Sequence, residues 1–76
     1  MLSLTIKKGG RVNIGKDTLT LLDVESGHII IHYKGYHKLV LGRVYHLQDC
    51  LLCYNKKSGR SAKLALDSTY KIQRQA

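Results

Sequence analysis

The chain alternates apolar and polar residues in short runs, and small turn residues cut off each run after a few positions. Leu2, Leu4 and Ile6 alternate with Ser3, Thr5 and Lys7, after which Lys8-Gly9-Gly10 turns the chain and Val12 and Ile14 resume the pattern. A period of two places successive side chains on opposite faces of a strand, so the signal is half-buried β-structure and the opening segment reads as a hairpin. Gly15-Lys16-Asp17 makes the next turn, Thr18 to Val24 a Thr/Leu strand, and Glu25-Ser26-Gly27 the turn into His28-Ile29-Ile30-Ile31-His32-Tyr33. Three isoleucines in a row predict a strand covered on both faces. Beyond Lys34-Gly35-Tyr36, strands are expected at Lys38 to Leu41, Ser61 to Leu66 and Ser68 to Ile72, with Asn55 to Arg60 as a turn. Residues 44 to 54 are ambiguous, because Val44, Leu47, Leu51 and Tyr54 also fall at helical spacing; we read strand. The expectation is an all-β fold, a small antiparallel sheet or barrel of hairpins in a single domain over 1–76.

Length sharpens this. With 76 residues and no proline, the chain makes one small core, near the size at which a second chain often supplies missing burial, so a homodimer is expected. No run approaches the ~20 apolar residues of a membrane-spanning helix. Charges that follow the first apolar alternation are the reverse of a secretory leader, which predicts a cytoplasmic protein without membrane association. Two cysteines, Cys50 and Cys53, fit that compartment. On a strand they point to opposite faces, and none of His28, His32, His37 and His46 forms a second pair at ligand spacing, so neither metal nor cofactor is expected. A single glutamate, Glu25, and no nucleophile–base set argue against an enzyme.

Thirteen Lys and Arg against five Asp and Glu give a net charge of +8, which points to a polyanionic partner. Residues 42–76 carry most of the excess, and Lys56, Lys57, Arg60 and Lys63 surround one turn and its outgoing strand. Tyr33, Tyr36 and Tyr45 are interleaved with Lys34, His37, Lys38 and Arg43. That mixture suits base stacking and backbone contact on single-stranded RNA, although each ring also suits a core. The chain also resembles itself. Laying Gly10-Arg11-Val12 on Gly42-Arg43-Val44 and continuing without gaps sets Asp17 on Asp49, Leu19 on Leu51 and Ser26-Gly27 on Ser58-Gly59. Duplication and the reuse of similar hairpins both account for it.

Met1-Leu2-Ser3-Leu4-Thr5, then Gly9, then Ile14-Gly15-Lys16-Asp17 before a Thr/Leu strand, resembles the start of the carbon storage regulator (CsrA/RsmA) family of bacterial translational regulators. Gly59 to Ser68, followed by Lys71-Ile72-Gln73-Arg74, is similar to the family's later strands. The resemblance fits two ways. Either residues 1–24 join 50–74 with an inserted hairpin at about 25–49, or residues 1–43 are a complete unit followed by a partial copy. It implies an intertwined homodimer that binds single-stranded GGA segments of mRNA or small RNA where the first strand of one protomer meets the last strand of the other. Carried over by position, Leu4, Thr5 and Lys7 stand on the first strand, with Ile72 and Arg74 or else Val40 and Arg43 on the last; the basic Lys8, Lys38 and Lys63 join them as candidate RNA-binding residues. Ile6 stands where the family has an arginine, and a diverged member acting as a protein-binding module or antagonist of a host regulator is the alternative.

Overall fold

The structure is a computed structural model and describes residues 2–70 and 72–74, Arg74 by its backbone alone. Nine strands follow one another: β1 (Leu2–Lys7), β2 (Arg11–Ile14), β3 (Asp17–Val24), β4 (His28–His32), β5 (Tyr36–Val40), β6 (Val44–Leu47), β7 (Cys50–Ser58), β8 (Ser61–Ser68) and β9 (Ile72–Arg74). All pairings are antiparallel, in a four-stranded sheet ordered β1-β8-β7-β6 and a five-stranded sheet ordered β5-β4-β3-β2-β9. Among the described residues no helix is long and apolar enough to cross a membrane.

The period-two pattern sets the faces. Ile6, Leu52, Tyr54, Leu64 and Leu66 of the first sheet and Val12, Ile14, Leu19, Leu21, Ile29, Ile31 and Leu39 of the second make one buried cluster. Burying a side chain of this size contributes roughly 1.5–3 kcal/mol. Tyr54 spans the two sheets, its ring fully buried and its hydroxyl donating to the Glu25 carbonyl at 2.8 Å.

Several expectations are corrected by these pairings. β1 and β2 do not form a hairpin: the chain turns a corner at Lys8-Gly9-Gly10 and leaves one sheet for the other, while β1 pairs with β8 from the far end of the chain, Thr5 opposite Lys63. Residues 44–54 are strand as read, but divided into two strands around a turn at Gln48-Asp49; Tyr45 and Leu47 face inward while Val44 and His46 face out. The turn expected over 55–60 is confined to Gly59-Arg60, with Asn55 as a bulge in β7. Ser68 ends β8 and Ile72 opens β9, so among the described residues Thr69 and Tyr70 do not continue the strand expected from Ser68 to Ile72. Of the three isoleucines, Ile29 and Ile31 are buried and Ile30 only half-buried, so β4 has one covered face.

The strand register repeats along the chain, one place beyond the offset that lays Gly10 on Gly42. Val12↔Leu19 in β2–β3 recurs as Tyr45↔Leu52 in β6–β7, and Thr5↔Lys63 in β1–β8 recurs as Lys38↔Ile30 in β5–β4. The bulge at Leu22 recurs at Asn55. The corners repeat as well: Gly9 N donates to Leu21 O at 2.7 Å and Gly42 N to Tyr54 O at 2.8 Å. These two glycines have φ of 85° and 83°, a conformation that costs an L side chain roughly 1–2 kcal/mol.

Candidate nucleic-acid interface

A basic surface is assembled by the β1–β8 and β8–β7 registers. On the outward face, Thr5, Lys63 and Lys56 stand in one cross-strand row and Lys7, Ser61 and Ser58 in the next. Neighbouring strands lie about 4.8 Å apart, so the Lys56 and Lys63 side chains leave the sheet from adjacent, exposed positions. The corner after β1 is pinned to the β7–β8 turn by a hydrogen bond from Lys8 N to Arg60 O at 2.9 Å. A cavity of about 390 Å³ there is lined by Lys8, Asp23, Val24, Glu25, Lys57, Gly59 and Arg60.

Six cations, Lys7, Lys8, Lys56, Lys57, Arg60 and Lys63, therefore share one end of this sheet, Lys57 in the inward row opposite Ala62 and beside the cavity. Asp23, at the rim, lies 3.4 Å from the Lys8 ammonium. Its partial burial would raise its pKa, but the Lys8 hydrogen bond and charge outweigh this and hold the carboxyl below its usual range. Close like charges on an exposed sheet repel one another and raise the potential above the surface, an arrangement that binds phosphates with release of counterions.

Of the residues expected from sequence, Thr5, Lys7, Lys8 and Lys63 come together here. Leu4 is half-buried against the core, as is Ile72. Lys38 lies on β5 in the other sheet, opposite Ile30, and Arg43 is exposed at the corner between β5 and β6. Arg74 is paired through its backbone with Val12 of β2; its side chain lies outside the described residues. Within this chain the first strand therefore neighbours β8, while β9 neighbours β2. Sequence reasoning found the Lys56, Lys57, Arg60 and Lys63 cluster, yet nothing local shows that it adjoins Lys7 and Lys8, since that contact rests on a pairing between the two ends of the chain.

The tyrosines separate into different roles. Tyr33 is buried, and its hydroxyl donates to Asp49 Oδ1 at 2.9 Å. Burial, then that hydrogen bond, push its pKa well up. The same bond is the main cause holding the Asp49 carboxyl below its usual range. Tyr45 accepts a hydrogen bond from Val40 N at 2.9 Å. Tyr36 is 76% exposed and meets His32 edge-on, with ring centroids 4.9 Å apart. Lys34 bridges Asp17 and Asp49, each at 3.3 Å, which ties three turns together and takes this ammonium out of the basic surface.

Cys50 lies in the core cluster, with its thiol pKa raised by burial, and Cys53 bonds to Asn55 on the opposite side of β7. Among the described residues, no three His, Cys, Asp or Glu side chains are grouped to hold a metal. Comparison of the chain with protein-family models, with curated proteins and with solved structures finds no match.

Proposed function

We propose that the protein binds single-stranded RNA through the outward face of β1, β8 and β7 and acts without chemistry as a post-transcriptional regulator in the cytoplasm, in the manner of the carbon storage regulators it resembles. The observation that carries this reading is the β1–β8 register, which sets Lys7 and Lys8 beside the basic β7–β8 turn. Thr5, Ser58 and Ser61 supply hydroxyls between the ammoniums, suited to phosphate and ribose. The 2′-hydroxyl and flexible backbone of an unpaired RNA suit such an open surface better than a stiff duplex does.

Ile6 bears on specificity. It is 5% exposed and faces the core, so no side chain at this position reaches a guanine edge, and the choice of GGA segments must come from neighbouring β1 and β8 groups. A panel of short hairpins with GGA or scrambled loops, together with duplex DNA of equal length, tests the reading by fluorescence anisotropy. Preference for the GGA loops supports it, equal binding of all unpaired RNAs removes the sequence-specific part, and tighter binding of the duplex DNA refutes it. A second reading, a protein-binding module, is favoured by the exposed Tyr36, Val40, Leu41 and Val44. A stoichiometric partner retained after nuclease treatment would support that reading instead.

A further inference from the structure

The repeated register divides the chain into two four-stranded copies, β1 to β4 and β5 to β8, that exchange their first strands. β1 of the first copy lies on β8 of the second, and β5 of the second lies on β4 of the first, in the same register. Each sheet is thus composite, with three strands from one copy and its edge strand from the other. β9 is the one addition; it lies beside β2, and among the described residues no strand lies at the equivalent edge, beside β6.

Two equivalent outward faces result, and their chemistry has parted. With Thr5 laid on Lys38 and Val12 on Tyr45, Lys7 falls on Val40, Lys8 on Leu41, Lys63 on Ile30, Lys56 on Asp23, Lys57 on Val24 and Arg60 on Gly27. None of the six cations has a cationic counterpart. Thr5 changes the other way, to Lys38, and at the corner Gly10 changes to Arg43. The rows of the second face are instead Lys38, Ile30 and Asp23, then Val40, His28 and Glu25, a mixed surface with two carboxylates, on which Val40 is 37% and the adjoining Leu41 41% exposed.

We infer that one folded chain carries a single RNA site, on the β1–β8–β7 face alone, and that this site is complete without a second chain. The inference rests on the RNA reading above. A polyanion held by clustered charge feels that cluster over a screening length of about 8–10 Å, and the second face offers one lysine beside one aspartate, Lys38 and Asp23, in the row through Ile30. The strands that build the site come from both copies, so the duplication supplies within one chain what a pair of chains would otherwise assemble. The expected homodimer is then not needed for binding.

The test is a titration of the full chain with a fluorescent single-stranded RNA of about eight nucleotides, short enough to fill one site, at chain concentrations far above Kd, with particle mass from light scattering. The expected result is a break at one RNA per chain and a particle containing one of each. A break at one RNA per two chains, or at two RNAs per chain, overturns the inference while leaving RNA binding intact. No saturable binding at low salt removes the RNA reading itself and the inference with it. The combined variant Ile30→Lys, Val40→Lys, Leu41→Lys is expected to take up a second RNA per chain, and an unchanged ratio in the folded variant counts against the inference. Acetylation of the unaltered protein decides independently of that variant's folding: RNA should protect Lys7, Lys56 and Lys63 several-fold and leave Lys38 unprotected, whereas equal protection of Lys38 overturns the one-sided site.

Discussion

Replacing Lys63 by alanine should change how the complex responds to salt more than how the protein folds. Lys63 is exposed on β8, with Thr5 opposite on one side and Lys56 on the other. Of the six cations at this end of the sheet, Lys8 already faces Asp23 at 3.4 Å and Lys57 stands opposite Ala62 in the inward row, so the effective number available to RNA phosphates on the outward face is about four. For a single strand, each phosphate neutralised contributes about 0.7 to the slope of log affinity against log salt, which gives a slope of about −2.8 and roughly a fiftyfold loss from 50 to 200 mM salt. Lys63→Ala should bring the slope to about −2.1 and the loss to roughly twentyfold. Thermal melting should not fall, because the substitution relieves a like-charge cross-strand pair. Anisotropy titrations at several salt concentrations measure the slope directly, with Lys38→Ala as the control on the other sheet. An unaltered slope in Lys63→Ala, or an equal reduction in Lys38→Ala, would refute placement of the phosphates on the β1–β8–β7 face.

Further outcomes follow from the core and the turns. Leu19→Ala and Leu52→Ala, fully buried at equivalent positions, should each cost about 3 kcal/mol in urea unfolding, and a large difference between them would contradict the equivalence of the two packing sites. Gly9→Ala and Gly42→Ala meet no atom within 4 Å of the added Cβ, so each should cost only the roughly 1–2 kcal/mol of backbone strain, read as similar drops in Tm. Tyr33→Phe removes a hydrogen bond to a carboxylate and should cost about 1.5 kcal/mol by the same denaturation assay. The Asp49 carboxyl is held low in the fold, so its stabilisation is present above the unfolded pKa near 4 and lost as pH falls through the folded value. Asp49→Asn should therefore flatten the acid limb of a stability–pH profile, and an unchanged acid limb would show that the carboxyl is not responsible.

Local chemistry made most strands legible. The Thr/Leu run and the His28-to-His32 run each fold as strands near their expected limits, since alternation and Gly or Ser-Gly turns act over a few residues. What failed was non-local. Lys8-Gly9-Gly10 carries the residues of a hairpin turn, but the Gly9 N to Leu21 O bond directs β1 into a different sheet, and no residue near β1 reveals this. The sequence identities that lay Gly10 on Gly42 also mislead, because the Ser-Gly pairs at 26–27 and 58–59 sit one place out of register in turns of equal length. The structural repeat survives as a pattern of buried positions, Leu19 with Leu52 and Leu21 with Tyr54, in which identity is mostly lost. The basic surface was half visible: its β7–β8 part is contiguous in the chain, and its β1 part is not.

The β1–β8 pairing has a consequence for how the protein is made. Leu2 to Lys7 leave the ribosome before any other strand described, and their partners, Ser61 to Leu66, leave only after β2 to β7. At about 5–20 residues per second, this strand waits roughly 3–12 seconds without a partner, with Leu2, Leu4 and Ile6 uncovered. During that interval β2, β3 and β4 can already zip through short turns, so the nascent chain holds a nearly complete sheet beside an unmatched apolar edge. Closure over so long a loop is the slow step expected of this topology. Translation rate, and not only final stability, should therefore govern how much of the protein reaches its folded form.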